Sequence, residues 1–283
     1  MPESMTTTGG AVAHQRRRPV VALLATALLS ACSAAPAPAV EQHDHEMAVA
    51  PTTPVVAAAT DSGGYAVDGL EVKDALTFRI TGPGGRAVTR YQPYESKLLE
   101  LYVIRADLSG YRMLDPAMRE DGTWIARLQP ALRPGSYRAF TTFAAPDSSQ
   151  GTPSHYTLSQ AFTVAGDAAN ETLPDATTTV DEYTVAWSGK PKLGESSPLG
   201  VSVSRAGKPV GHVDRFLDGY VHLTAFHAEN LAFARFLSTG KDNAGQLTAN
   251  AVFPESGTWR LFAQFEVDGQ AHVAAFTVVV PAG

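Results

Sequence analysis

From about Tyr65 to Val280 the chain is built of short runs in which apolar and polar residues alternate, broken by turns of Gly, Pro, Asp and Ser. A period of two puts successive side chains on opposite faces, so each run reads as a strand with one face turned to a core. In the first half, strands are expected near Leu76–Ile80, Leu99–Arg105, Trp124–Leu128, Tyr137–Phe143 and Tyr156–Val164, with turns at Gly82-Pro83-Gly84-Gly85 and Asp121-Gly122. In the second half they are expected near Tyr183–Trp187, Leu199–Ser204, Tyr220–Phe226, Leu247–Phe253, Trp259–Val267 and Val273–Val280. Helix is expected to be nearly absent, and the pattern predicts an all-β protein.

The runs repeat. At an offset of 122 residues, Pro134–Phe143 aligns with Ser256–Phe265 through Gly-x-aromatic-Arg-x-Phe-x-x-Phe, Gly85–Val88 with Gly207–Val210, and Leu99–Val103 with Val221–Ala225. Three blocks at one offset indicate a duplicated unit of about a hundred residues, and short strands with frequent turns predict an immunoglobulin-like β-sandwich for each copy. The last strands, around Phe162 and Phe276, sit 114 apart, which assigns eight extra residues of the first copy to the loop from Pro146 to Ser154. Gly135-x-Tyr137 entering a strand is similar to the tyrosine corner of such sandwiches, with Trp259 in the tyrosine's place in the second copy.

Ahead of the repeats, Arg16-Arg17-Arg18 precedes the apolar run Pro19–Leu29, the order of an export signal and too short for the ~20 residues of a bilayer span. The paired arginines hint at twin-arginine export without deciding it against the general route. The run ends in Leu29-Ser30-Ala31-Cys32, which resembles a lipoprotein lipobox. Cys32 is the sole cysteine, so the resemblance implies that it receives a diacylglyceryl group and becomes the new N-terminus. Two acyl chains anchor stably, at ~0.8 kcal/mol per buried methylene. The expected organisation is a signal peptide over 1–31, a flexible Ala/Pro-rich tether over 32–64, sandwiches over 65–166 and 181–283, and a linker over 167–180.

Composition narrows the function. Of 283 residues, 44% are hydrophobic, with 22 Lys+Arg against 28 Asp+Glu. The formal charge of −6, and −8 once the three arginines and Glu3 of the signal are removed, argues against a nucleic-acid partner. A single cysteine excludes an intramolecular disulfide and a multi-cysteine metal site. The chain has no Gly-x-Ser-x-Gly elbow, no His-Glu-x-x-His and no phosphate-binding Gly-rich loop, and a non-enzymatic protein is expected.

Metal ligation has candidate residues. In the tether, His43, His45 and Met47 of His43-Asp44-His45-Glu46-Met47 fall on one side of an extended strand, and imidazole with thioether suits copper, imidazole alone zinc. The competing reading is that these polar residues merely solvate a linker. With the blocks Leu101–Tyr111 and Asp121-Gly122-Thr123-Trp124, the chain resembles actinobacterial secreted lipoproteins with tandem YtkA-like, heavy-metal-associated β-sandwich domains. In that family the first block runs on into His-x-His-Pro, and a His-Leu pair often opens the strand. Here Met113, Leu114, Asp115 and Pro116 hold the former positions and Glu100-Leu101 the latter. The second copy keeps His222-Leu223 but has Arg235-Phe236-Leu237-Ser238 where the histidines would stand. Met113, Asp115 and Met118 remain a candidate soft-metal cluster, against a reading of the methionines as core filler. His222 is a further metal candidate, against a reading of it and His227 as satisfied or solvent-facing histidines, and His155, His212 and His272 lack sequence-adjacent ligand partners.

Two functions follow as expectations. One is a cell-envelope binding or scaffold lipoprotein, lipid-anchored to the outer face of the membrane and contacting another envelope protein. The other is capture or buffering of copper or zinc at the cell surface.

Overall fold

The computed structural model describes residues 52–55 and 61–283, apart from Glu95, 147–152, 172–176, Asp218, Thr239 and 242–245. Cys32 and His43, His45 and Met47 therefore lie outside the described residues. The strands run in order β1 (Thr52–Val55), β2 (Asp61–Ser62), β3 (Tyr65–Val72), β4 (Ala75–Thr81), β5 (Leu99–Arg105), β6 (Arg112–Leu114), β7 (Ala117–Met118), β8 (Thr123–Arg127), β9 (Gly135–Pro146) and β10 (Pro153–Val164). The second copy continues with β11 (Thr177–Val180), β12 (Tyr183–Gly189), β13 (Ser196–Arg205), β14 (Lys208–Pro209), β15 (Val221–His227), β16 (Phe233–Ser238), β17 (Gly240–Lys241), β18 (Leu247–Val252), β19 (Gly257–Val267) and β20 (Gln270–Val280).

Each copy folds into two facing antiparallel sheets, the expected tandem sandwich. The first pairs β2-β3-β4-β8-β7 with β10-β9-β5-β6, and the second pairs β11-β12-β13-β18-β17 with β1-β16-β15-β19-β20. Alternation drives each core. Leu99, Leu101 and Val103 of β5 meet Leu76, Phe78, Ile80 and Trp124 in one cluster. Val221, Leu223 and Ala225 of β15 meet Val201, Val203, Phe253 and Trp259 in another.

The corner motif is present in both copies. Tyr137 donates its hydroxyl hydrogen to Arg133 O at 2.9 Å, and Trp259 donates Nε1–H to Glu255 O at 3.1 Å, four residues back in each case. Gly135 and Gly257 enter these strands at φ of 143° and 124°, where a side chain is strained. A Cβ on Gly257 would stand 2.5 Å from His227 Nε2.

The structure departs from the sequence reading at several places. In the ladders Val164 faces Gly135 and Val280 faces Gly257, so the last strands correspond at 116 residues rather than 114. The hairpin of the first copy is longer by six residues, not eight. Thr52–Val55, in the stretch expected to be an unpacked tether, pairs along β16, and Thr177–Val180 of the expected linker adds an edge strand to β12. Strand β16 carries no clean alternation because both of its faces are covered: Ala234 and Phe236 belong to the sandwich core, whereas Phe233 belongs to a third cluster. A strand buried on both sides reads as a continuous apolar run.

Candidate functional site

That third cluster is the seam between the copies. The outward faces of β5, β6 and β9 meet those of β15, β16 and β19, burying Tyr102, Ile104, Phe140, Phe226, Phe233 and Phe262 together. Strands β5 and β15 are buried at every residue for this reason, one face in a sandwich core and the other in the seam. Tyr111 stacks on Phe262 with centroids 4.2 Å apart, and Phe233 stacks on Phe140 at 5.0 Å. The 122-residue offset exchanges these two pairs, so the copies meet face to face about an approximate two-fold axis, as in an isologous dimer.

The axis passes between Glu100 and His222, which exchange with each other and lie 4.0 Å apart. Around them sits a buried polar cluster with contributors from both copies. Arg235 Nε lies 2.9 Å from His222 Nε2, 3.0 Å from Glu100 Oε2 and 3.1 Å from the Tyr102 hydroxyl, and Arg235 Nη2 donates to Glu100 Oε1 at 3.1 Å. Tyr102 and Thr142 donate hydroxyl hydrogens to Glu100 Oε2 at 2.9 and 2.7 Å. The Arg235 guanidinium also lies 5.4 Å from the centre of the Tyr94 ring. The arginine supplies the proton between it and His222 Nε2, so the imidazole accepts there and carries its own proton on Nδ1, beside Thr224 Oγ1 at 3.4 Å.

Burial governs the titration of this cluster. It pushes the Glu100 carboxyl up to about 7, against hydrogen bonds from Thr142 and Tyr102 and the charge of Lys97. The guanidinium of Arg235 acts in the same lowering sense. Burial pushes His222 down to about 4, so the ring is neutral at pH 7. The phenol of Tyr102 is held well above its ordinary value by burial and by the neighbouring carboxylate.

Two cavities adjoin the seam and the linker. One, of about 240 Å³, is lined by Lys97, Leu99, Glu100, Met113, Leu114, Asp115, Phe216, Leu217 and Gln264. The other, of about 440 Å³, lies where the chain leaves the first copy, with Arg105 and Asp107 in its wall. There Arg105 Nη1 bonds Asp107 Oδ2 at 2.9 Å and Ala169 O at 2.8 Å, and the Glu171 amide donates to Asp107 Oδ2 at 3.2 Å, which pins the linker to the first sandwich.

Of the sequence candidates, Met113 packs into the seam, Met118 against the core of the first sandwich, and Asp115 pairs with Lys97 at 2.9 Å on the rim. Met118 is thus set apart from Met113 and Asp115, which both line the 240 Å³ cavity. His222 is fully buried with the partners given above. His227 is buried under Gly257 and bonds Ser256 O at 3.0 Å, and His272 pairs with Asp181 at 2.6 Å. Among the described residues no group of three or more His, Cys, Asp or Glu is placed to hold a metal ion. Sequence reasoning missed Arg235 and Tyr102. Their signal was the departure itself, a charge and a phenol on strands otherwise apolar.

Residues 178–282 match the model of a domain of unknown function (DUF8832). No curated protein matches the chain. Among solved structures, it is similar to the chicken interferon gamma receptor alpha chain at 10% identity, with 78% of this chain and 100% of that one covered and a TM-score of 0.25. A biofilm-associated protein BSP domain is similar at 15% identity, covering 78% and 30%, with a TM-score of 0.20. The chicken CNTN1 FN1–FN3 domains are similar at 13% identity, covering 81% and 69%, with a TM-score of 0.20.

Proposed function

We propose that this chain is a non-enzymatic binding or scaffold protein of the cell envelope, held at the outer membrane face by a diacylglyceryl group on Cys32. The two sandwiches act as one body that engages another envelope component. The observation that supports this reading is the seam: its ionisable groups, Glu100, Tyr102, His222 and Arg235, bond one another in a buried cluster and hold two domains together. Such groups set the geometry of a platform, and the loops and edge strands outside the seam are what it presents.

The test is recovery of a partner from cell envelopes with the full chain as bait. The reading expects capture to survive alanine at His43, His45 and Met47 and to fall when the sandwiches are separated by a seam substitution. Capture that needs only the histidine segment contradicts it. Mass spectrometry of the mature N-terminus tests the anchor: a diacylglyceryl mass on Cys32 is expected, and a free thiol overturns that part.

A further inference from the structure

The Arg105 guanidinium is engaged on one side only. The residue is 4% exposed, and its Nη1 donates to Asp107 Oδ2 at 2.9 Å and to Ala169 O at 2.8 Å. Among the described residues Nε and Nη2 have no acceptor, yet neither is sealed from solvent as Arg138 Nε is. With so little of the residue exposed, their opening is the cavity of about 440 Å³ that Arg105 lines. A Cβ on Gly135 would collide with Nε, so the glycine at this strand entry is what lets the guanidinium reach the wall. The second copy closes the same position. There the offset of 122 residues puts His227 in the place of Arg105, and both ring nitrogens are engaged, Nε2 with Ser256 O at 3.0 Å and Nδ1 with the Glu229 amide at 3.4 Å.

What this cavity lacks is an acceptor, not a charge. Asp107 already balances Arg105, and its carboxylate is saturated: Oδ1 accepts from the Ser109 amide and hydroxyl at 3.1 and 2.6 Å, and Oδ2 from Arg105 and the Glu171 amide. A second carboxylate would meet the repulsion of Asp107, whereas a neutral carbonyl oxygen meets none. The guanidinium also shows which acceptor it takes, because Nη1 holds the main-chain carbonyl of Ala169. Its planar fork offers Nε–H and Nη2–H side by side, and an ionised donor makes the stronger hydrogen bond. Apart from Arg105 and Asp107 the wall is uncharged, with Ser136, Thr163 and Asn170 among small residues such as Ala168 that let a backbone approach.

We propose that this cavity binds the main chain of an uncharged peptide segment, one of whose carbonyl oxygens accepts from Arg105 Nε and Nη2. Ser136 and Asn170 offer hydroxyl and amide groups to the adjoining peptide units. The linker already presents such a carbonyl to the other side of the same guanidinium, so linker and ligand share one clasp. The assignment rests on the cavity alone, and it stands or fails independently of the anchor and the envelope partner above.

The probe is N-acetyl-alanyl-alanine N-methylamide, titrated into the isotopically labelled full chain and followed by backbone amide shifts and by the Arg105 Nε–H resonance. Saturable shifts at Arg105 Nε–H, Ala106, Ser136 and Ala168, with a dissociation constant on the order of millimolar for a ligand of this size, are expected. The same dipeptide with a free carboxylate should bind at least about threefold more weakly, because Asp107 repels it. Arg105→Lys keeps the charge beside Asp107 but not the fork, and should weaken the probe about fivefold or more. Ala168→Phe fills the cavity from an exposed wall position and should abolish binding while the melting temperature holds, and it decides the matter if Arg105→Lys fails to fold. Shifts that do not saturate or that leave Arg105 Nε–H unmoved, equal or tighter binding of the carboxylate, or undiminished binding in a folded Arg105→Lys or Ala168→Phe variant each overturns the assignment.

Discussion

Replacing Arg235 by Met, the residue its repeat mate already carries, isolates what the guanidinium does. The side chain is 1% exposed and its Nε lies 3.0 Å from Glu100 Oε2, so the substitution leaves a carboxylate buried in the seam without its counter-charge. Burial already holds that carboxyl at about 7 with the guanidinium in place, against 4.5 for the ordinary group, and losing the counter-charge raises it further. The sign follows from linkage: both folded proteins keep the proton at pH 5, and above pH 7 only the wild type gives it up readily, so the variant's extra cost grows as pH rises past 7. At high pH the loss should approach the ~3–5 kcal/mol typical of breaking a buried pair by removing one partner. Urea unfolding at pH 9 and pH 5 measures it, and the deficit should shrink at the lower pH. In Glu100→Gln/Arg235→Met most of the loss should be restored, because an uncharged pair leaves no stranded ion. A deficit under about 1 kcal/mol at pH 9, or one that is the same at pH 5, would rule out a stranded buried carboxylate.

Other substitutions test the same structure at different points. His222 is held down at about 4 by burial, against 6.5 for the ordinary group, so its contribution is fully present above pH 6.5 and is lost as pH falls toward 4. His222→Gln accepts from Arg235 without titrating, and its stability relative to wild type should improve by about 3 kcal/mol between pH 7 and pH 4, measured by urea unfolding; a constant difference counts against a neutral buried ring. Phe262→Ala removes a 5%-exposed ring stacked on Tyr111 and should cost about 3–5 kcal/mol, with Trp124 and Trp259 fluorescence reporting separate transitions for the two sandwiches; one unchanged transition would count against the seam's role. Gly257→Ala, at φ 124° with its Cβ directed at His227, should lose about 1–3 kcal/mol by thermal unfolding. The same change at Gly269, at φ 72° with open space around it, should cost about 1 kcal/mol.

How much of this was legible in the chain depends on what each strand faces. Strands β4, β12 and β18 bury one face and expose the other, and alternation located them. Strand β3 was missed because Asp68, Gly69 and Glu71 interrupt it, with Gly69 at φ 61° and a register shift between Asp68 and Glu71. Strand β6 has three residues, too few for a period. The seam was hidden for a different reason. On β15 the outward face, read as open to solvent or locally satisfied, carries His222, Thr224 and Phe226, all buried by the other copy. Nothing in a single strand's periodicity reports a neighbour folded from residues more than a hundred positions away. The repeat itself did carry the information, because Glu100 against His222 and Met113 against Arg235 are chemically unlike mates, and all four lie at the seam.

The two sandwiches form one body through this buried seam, and backbone residual dipolar couplings of the full chain, fitted for each sandwich separately, measure whether they move together. Strands β3–β10 and β12–β20 should report a single common alignment tensor, and Arg235→Met should split it. Two tensors of different magnitude in the wild-type protein would mean domains that reorient independently, with no rigid seam between them.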